Sequence, residues 1–199
     1  DEAGRPYGDE LSRSLAFQQA VLHWIQSAPG KPKLLHCHDH HTALIPFMVK
    51  YCPEYQSLRS IPTAFTIHNG EYHGSFGWDK LYLLPFFEAE ARGILDWNNS
   101  INPLAVAIKC AWRVTTVSPS YLDELKQSSN GLEHLISHEQ HKSIGILNGI
   151  DNQVWDPRTD PYIDVHLGDD MAAFKQANKH ILGQHFRIEQ QTPIVTLIG

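Results

Sequence analysis

Cysteine is scarce in this sequence and never closely paired. Three occur in 199 residues, Cys37, Cys52 and Cys110. They are odd in number and form no C-x-x-C, which excludes a zinc ribbon or a thioredoxin-type redox pair and agrees with a reducing compartment. Long apolar runs are missing as well. The longest, Leu81 to Phe87, is far short of the about 18 residues that cross a bilayer. Glycine is never doubled. Basic charge is in deficit: 16 Lys and Arg face 22 Asp and Glu, a formal charge of −6. No Lys/Arg stripe is present to grip duplex nucleic acid. The first residues do not read as a secretory signal. The expectation is a cytoplasmic protein with neither a nucleic-acid nor a membrane partner.

What is present suits a packed globular fold. A chain of 199 residues buries roughly 70% of its unfolded surface, so it needs no disulfide or metal to hold together. Cys37 and Cys110 sit among apolar neighbours and read as buried thiols. The order of elements is more informative. Asp9 and Glu10 open a helix whose apolar positions, Leu11, Leu15, Val21, Leu22 and Ile25, recur at helical spacing up to Pro29-Gly30. Lys33 to Cys37 reads as a buried strand, Thr42 to Tyr51 as a helix, and Pro62 to Ile67 as a second strand.

The middle is less regular. Gly70 to Gly77 reads as a loop, Asp79 to Phe87 as a short helix broken at Pro85, and Asn98 to Asn102 as another loop. Pro103 opens a helix that runs to Cys110. Arg113 to Val117 is a third strand, and Ser118-Pro119 caps the next helix. Gly131 to His141 is helical, Ser143 to Leu147 is a fourth strand, Trp155-Asp156-Pro157 is a turn, Asp169 to Leu182 is a helix, and Thr192 to Ile198 is a last strand. This alternation predicts an α/β fold, a Rossmann-like parallel sheet flanked by helices.

In such a sheet the carboxyl ends of the strands share one edge, and ligands bind in the crevice there. Three strands end in polar or glycine-containing loops: His38-Asp39, His68-Asn69-Gly70, and Asn148-Gly149-Ile150-Asp151. Residues distant in sequence are therefore expected to converge on one site. The second and third of these loops also have a plainer reading as turns, with Asn and Gly supplying positive φ in the second.

Histidine is abundant, 13 in all, and four of them fall in His36-Cys37-His38-Asp39-His40-His41. That run approaches the H-x-H-x-D-H of metallo-β-lactamase-like hydrolases, with the aspartate one place early. It also contains the Asp-His-His of the DHH phosphoesterases. Imidazole and carboxylate suit zinc or manganese, but both families need further ligands from distant segments. The plainer reading makes His36 a core histidine on the strand. His38 and Asp39 then face the crevice, and His40 and His41 open the helix.

The ordered set of motifs resembles bacterial glycogen synthases and plant starch synthases. The matching pieces are His36-Cys37-His38-Asp39 with Thr42-Ala43-Leu44-Ile45-Pro46, Thr63-Ala64-Phe65-Thr66-Ile67-His68-Asn69, and Tyr72-His73-Gly74. Arg113 to Tyr121, Gly145 to Asp151, Val154-Trp155-Asp156-Pro157 with Thr159-Asp160-Pro161, and Lys175, Asn178 and Lys179 follow in order. The segment Gly77 to Ile101 is longer and more aromatic than the plant form. The resemblance implies two Rossmann-like domains facing a cleft. Residues 1–190 would be the first, acceptor-side domain, without its opening strand and without the family's Lys-x-Gly-Gly-Leu loop. Residues 191–199 would start the first strand of the second domain.

The resemblance also implies an activity: transfer of glucose from ADP-glucose to the 4-hydroxyl of an α-1,4-glucan with retention of configuration. It implies no cofactor and no metal, because Arg and Lys of the second domain supply positive charge to the leaving diphosphate. This stretch alone is expected to have no turnover. His68 and Asp39 match the family's catalytic positions at the sugar. Asn69, Asn148, Gly149 and His40 match substrate-binding positions. His40 departs from the usual tryptophan, and Trp112 stands where many members have an aspartate and reads as packing. Three alternatives stay open: a metal-dependent hydrolase built on residues 36–41, a transferase of another nucleotide sugar, and a non-catalytic glucan-binding module.

Overall fold

The computed structural model describes residues 7–189 and 193–197. It comprises two compact units, residues 1–148 and residues 149–199. Among the described residues no helix is long and apolar enough to cross a membrane.

The first unit opens with helix α1, Glu10–Ser27, which buries Leu15, Gln18, Leu22 and Ile25 along one face. Asp9 does not cap it through its side chain. Its carboxylate is taken instead by Arg13 one turn on, at 2.9 Å. Strand β1, Leu35–His38, alternates strictly, with Leu35 and Cys37 buried and His36 and His38 exposed. This corrects the reading of His36 as a core residue: the two apolar side chains take the buried parity and leave both histidines on the other face. A single 3₁₀ turn, His40–Thr42, leads into α2, Ile45–Tyr51, and strand β2 is Thr63–Ile67.

The expected helix before Pro85 is a 3₁₀ segment, Trp78–Leu83. Beyond it a short helix α3, Arg92–Leu95, precedes a small hairpin of β3, Asp96–Trp97, and β4, Ser100–Ile101. That hairpin turns on Asn98 and Asn99, both at positive φ, 52° and 63°, as a two-residue hairpin loop requires. Helix α4, Pro103–Cys110, begins where the proline predicts, and the Asn102 side chain accepts from the Ala105 N–H. Strand β5, Arg113–Thr116, leads to α5, Pro119–Leu125, which Ser118 caps by accepting from the Tyr121 N–H at 2.9 Å. Helix α6, Glu133–His138, and strand β6, Ser143–Gly145, complete the unit.

The sheet is parallel throughout, in the order β1-β2-β5-β6. Its core includes Phe65, Phe47, Met48, Leu104 and Ile108, with Leu22 and Leu15 from α1. All three cysteines are buried, and burial pushes each thiol up to about 12. Gln18 is buried yet satisfied: its Oε1 accepts from the Leu44 N–H at 2.9 Å and so anchors the start of α2. Trp112 is not packed inside. It is 54% exposed and carries the Arg113 guanidinium 4.2 Å above its ring.

The second unit contains helix α7, Met171–Phe186, capped by Asp170. Aspartates shape the turns before it: Asp151, Asp156 and Asp160 each accept backbone N–H bonds two or three residues on. Asn178 ties that stretch to α7, donating to the carbonyls of Val165 and Phe174 at 2.8 and 3.0 Å. Residues 193–197 form no strand, contrary to the expectation for Thr192 to Ile198. Thr192 and Ile198 lie outside the described residues.

Candidate functional site

Because the four strands run parallel, their carboxyl ends share an edge. Asp39 follows β1, His68 and Asn69 follow β2, and Asn148 lies beyond β6. The backbone at Asp39 is unusual, with φ 52° and ψ −178°. A non-glycine residue there carries strain of roughly 1–3 kcal/mol, which persists only where the surroundings over-determine it. They do here. The Asp39 N–H donates to Thr66 O at 3.0 Å, and Thr42 N–H donates back to Asp39 O at 3.2 Å. The carboxylate then reaches across to β2. Its Oδ1 accepts from the backbone N–H of His68 at 2.8 Å and of Asn69 at 3.4 Å.

This contact fixes the loop after β2 from one side. From the other, the Tyr121 hydroxyl accepts from the Gly70 N–H at 2.9 Å. A side chain at Gly70 would run into Leu125, so glycine is needed for close approach. Neither Asn69 nor Gly70 has positive φ. Asn69 makes its turn through its side chain, Oδ1 accepting from the Glu71 N–H at 2.9 Å. His73 lies 3.1 Å from the Gly70 carbonyl through Nε2, so Nε2 bears the proton and donates. Its Nδ1 accepts from Asn102 Nδ2 at 3.0 Å. Asn102 thus caps α4 and orients His73 at once.

The His68 ring is exposed and held by another histidine. His38 Nδ1 and His68 Nε2 are 3.0 Å apart. Such a bond needs one protonated and one free nitrogen, so the two rings cannot both be cationic and keep it. Burial first, then the charges of His36 and His68, hold the His38 ring below the usual histidine range. Behind His38 the polar face continues inward along the register. His36 stacks on His38 with centroids 4.1 Å apart. His36 Nε2 meets Thr66 Oγ1 at 2.7 Å, and Thr66 Oγ1 meets Thr115 Oγ1 at 2.6 Å. The Thr42 hydroxyl clamps the His38 backbone, accepting from its N–H and donating to its carbonyl.

The structure therefore brings Asp39, His68 and Asn69 together. Among the described residues no hydrogen bond joins Asn148 to them. Gly149 opens the second unit, exposed, with open space where a Cβ would lie. His40, though adjacent to Asp39, turns the other way. Its ring lies against Gly74 and 3.8 Å from that of His41. The four clustered histidines thus do not converge on one ion: His36 and His38 join Thr66 and His68, while His40 and His41 approach Glu10. Tyr121 and Thr42 are site-building residues to which sequence reasoning assigned no role, and His38, expected only to face the crevice, also orients His68. All three lay inside quoted motifs, but their contacts depend on strand register and on the placement of α5.

An open parallel α/β unit with a polar site on its strand-end loops belongs to the large class that binds small polar ligands at that edge. Comparison with known proteins narrows the class. The family described as the starch synthase catalytic domain matches residues 1–138, and the chain belongs to that family. The glycogen synthase of Flavobacterium johnsoniae is 47% identical over 97% of this chain and 41% of its own length. That of Streptococcus gordonii is 36% identical over 98% of this chain and 43% of its own. Among solved structures, the catalytic domain of starch synthase IV from Arabidopsis thaliana, bound to ADP and acarbose, superposes with a TM-score of 0.78 at 29% identity. The match covers 95% of this chain and 40% of that one. The chain spans about two fifths of the length of these relatives.

Proposed function

We propose that this chain supplies the acceptor-side part of a glycogen or starch synthase, a retaining transferase that moves glucose from ADP-glucose to the 4-hydroxyl of an α-1,4-glucan. The observation that carries the reading is the pair of hydrogen bonds that the backbone N–H groups of His68 and Asn69 donate to Asp39 Oδ1. It sets the orientation of the His68 peptide at the rim of the sheet. In a transition state with oxocarbenium character, catalysis needs electron-rich groups near the anomeric carbon. His68 offers two, its carbonyl and its imidazole, and His38 holds the second in place. Asp39 then acts mainly by positioning His68, and its carboxylate adds negative charge on the sugar side. Asn69 and Asn148 are the amides offered to sugar hydroxyls, with Gly149 beside Asn148 and His40 beside Asp39.

In this reading residues 1–190 belong to the first of two Rossmann-like domains, and residues 191–199 enter the second. The protein works in the cytoplasm on soluble substrates, and positive charge for the diphosphate comes from side chains of the second domain. Family membership and the ADP- and acarbose-bound relative support the choice of ligands.

The test is transfer of labelled glucose to maltooligosaccharide by the natural full-length chain. ADP-glucose is expected to be used in preference to UDP-glucose, with α-1,4 product. His68→Ala is expected to lower turnover by more than about tenfold, ~1.4 kcal/mol of transition-state stabilisation. Unchanged turnover removes His68 from the site, and preference for UDP-glucose makes the protein a transferase of another nucleotide sugar.

A further inference from the structure

Of the second half of the histidine cluster, His41 has no part in the chemistry proposed above, and His40 enters it only as the neighbour of Asp39. After Asp39 the chain makes one 3₁₀ turn, His40–Thr42, and this turn meets the start of α1. There Glu10, His40 and His41 each present a ligand atom, and the three atoms lie within 4.8 Å of one another. His41 Nε2 is 3.5 Å from Glu10 Oε1. The three side chains border a cavity of about 180 Å³, several times the volume of a water molecule.

His40 is the unusual member. Its Nδ1 is buried without a hydrogen-bond partner, and a polar atom in that state calls for one. Its ring has little freedom to move. Gly74, at φ +68°, approaches so closely that a Cβ there would lie 2.8 Å from the ring Cδ2. The imidazole is thus held beside the other two donors by the loop that crosses it.

We propose that Glu10, His40 and His41 form a binding site for one divalent transition-metal ion, with zinc as the natural occupant. Two imidazoles and one carboxylate are a borderline donor set that zinc accepts in tetrahedral geometry, with water on the fourth position. The site differs from any built within residues 36–41, because it recruits Glu10 from α1 and uses neither His36 nor His38. It is also more than an ordinary histidine–glutamate pair. His23 and Glu54 make such a pair at the same 3.5 Å, but among the described residues no third His, Cys, Asp or Glu completes a group with them. Among the described residues, Glu10, His40 and His41 are the one group of three within reach of a single ion.

An ion here joins the first turn of α1 to the residue directly after Asp39. It stiffens the turn that sets the Asp39 carboxylate under the His68 loop. Zinc is thus a structural or modulating ligand and takes no step in sugar transfer. The inference stands whether or not the transferase reading holds.

Equilibrium dialysis against zinc, with a chromophoric chelator as competitor, tests it on the natural full-length chain. The expected result is one zinc per chain. Glu10→Gln and His41→Gln should each weaken binding by more than about tenfold, and His23→Gln should leave it unchanged. Cobalt substitution gives an independent readout: tetrahedral visible bands in the parent that are lost in His41→Gln. Glu10 and His41 lie at the surface, and thermal melts check that the variants remain folded. Substoichiometric zinc overturns the proposal. So does stoichiometric zinc that survives both substitutions, or equal weakening by His23→Gln, which marks generic imidazole binding.

Discussion

The two histidine pairs that flank Asp39 share a hexapeptide and face different surroundings. His36 and His38 lie on a strand two residues apart, so they share a face and meet the Thr66 and His68 side of the sheet. His40 and His41 lie on a 3₁₀ turn and meet the start of α1. The residue between them makes the change of direction. Asp39 sits at φ 52°, and one strained residue sends like side chains into two environments. A run of histidines is therefore not a cluster in space unless the backbone through it keeps one direction.

The comparison breaks most severely at Asp39 itself. Asp39→Ala removes the acceptor of two backbone N–H bonds and leaves a Cβ at positive φ. Its expected cost is about 2–3 kcal/mol of stability from the lost hydrogen bonds, the strain being common to parent and variant, read as a fall in chemical-denaturation midpoint. Asp39→Gly also loses the acceptor but relieves the backbone, so it should be about 1 kcal/mol more stable than Asp39→Ala. Equal stabilities for the two would remove strain from the account.

On the His38 side, His38→Ala frees the His68 ring. Turnover of the full-length chain should fall about tenfold, ~1.4 kcal/mol. His36→Ala, one step farther from His68, should change turnover less than about twofold. A larger loss from His36 than from His38 would make the whole polar face, rather than the His38–His68 bond, the supporting element.

The smallest effect is on pH dependence. Burial is the first cause that holds both His38 and His40 below the usual histidine range. Folding then disfavours their protonation, and the unfolded chain binds more protons once pH drops to its histidine range. Stability is expected to be complete above about pH 6.5 and to erode as pH falls below it. His38→Gln should flatten that slope, as thermal melts across pH can show. A slope that steepens on removing His38 would reverse the assigned direction.

The parts of the fold with their own chemical punctuation were legible from sequence. Asn102-Pro103 and Ser118-Pro119 begin α4 and α5 where a cap and a proline place them. The small hairpin was not expected, although Asn98-Asn99 carries the signal, since asparagine tolerates the left-handed conformation that its turn demands. The stretch 192–198 reads as a strand because it is rich in β-formers. A strand exists only through its pairing, and residues 193–197 have no described partner in a sheet. At the site, the approach of Asp39 to His68 followed from the rule that parallel strands end on one edge. The exposure of His36 was also open to inference from the alternation Leu35, Cys37. The hydrogen bonds of Asp39 and His38 were not, because they rest on the register that sets His38 beside Thr66.

The strand order has a consequence for how such a chain is made. Reading β1-β2-β5-β6 across the sheet is the same as reading down the sequence. Among these four, each strand emerging from the ribosome therefore meets its predecessor as an open template, and none has to wait for a later one of the four. Pairing of these four strands can follow the order of their synthesis, with the loops that carry Asp39 and His68 locked together before β5 has been translated.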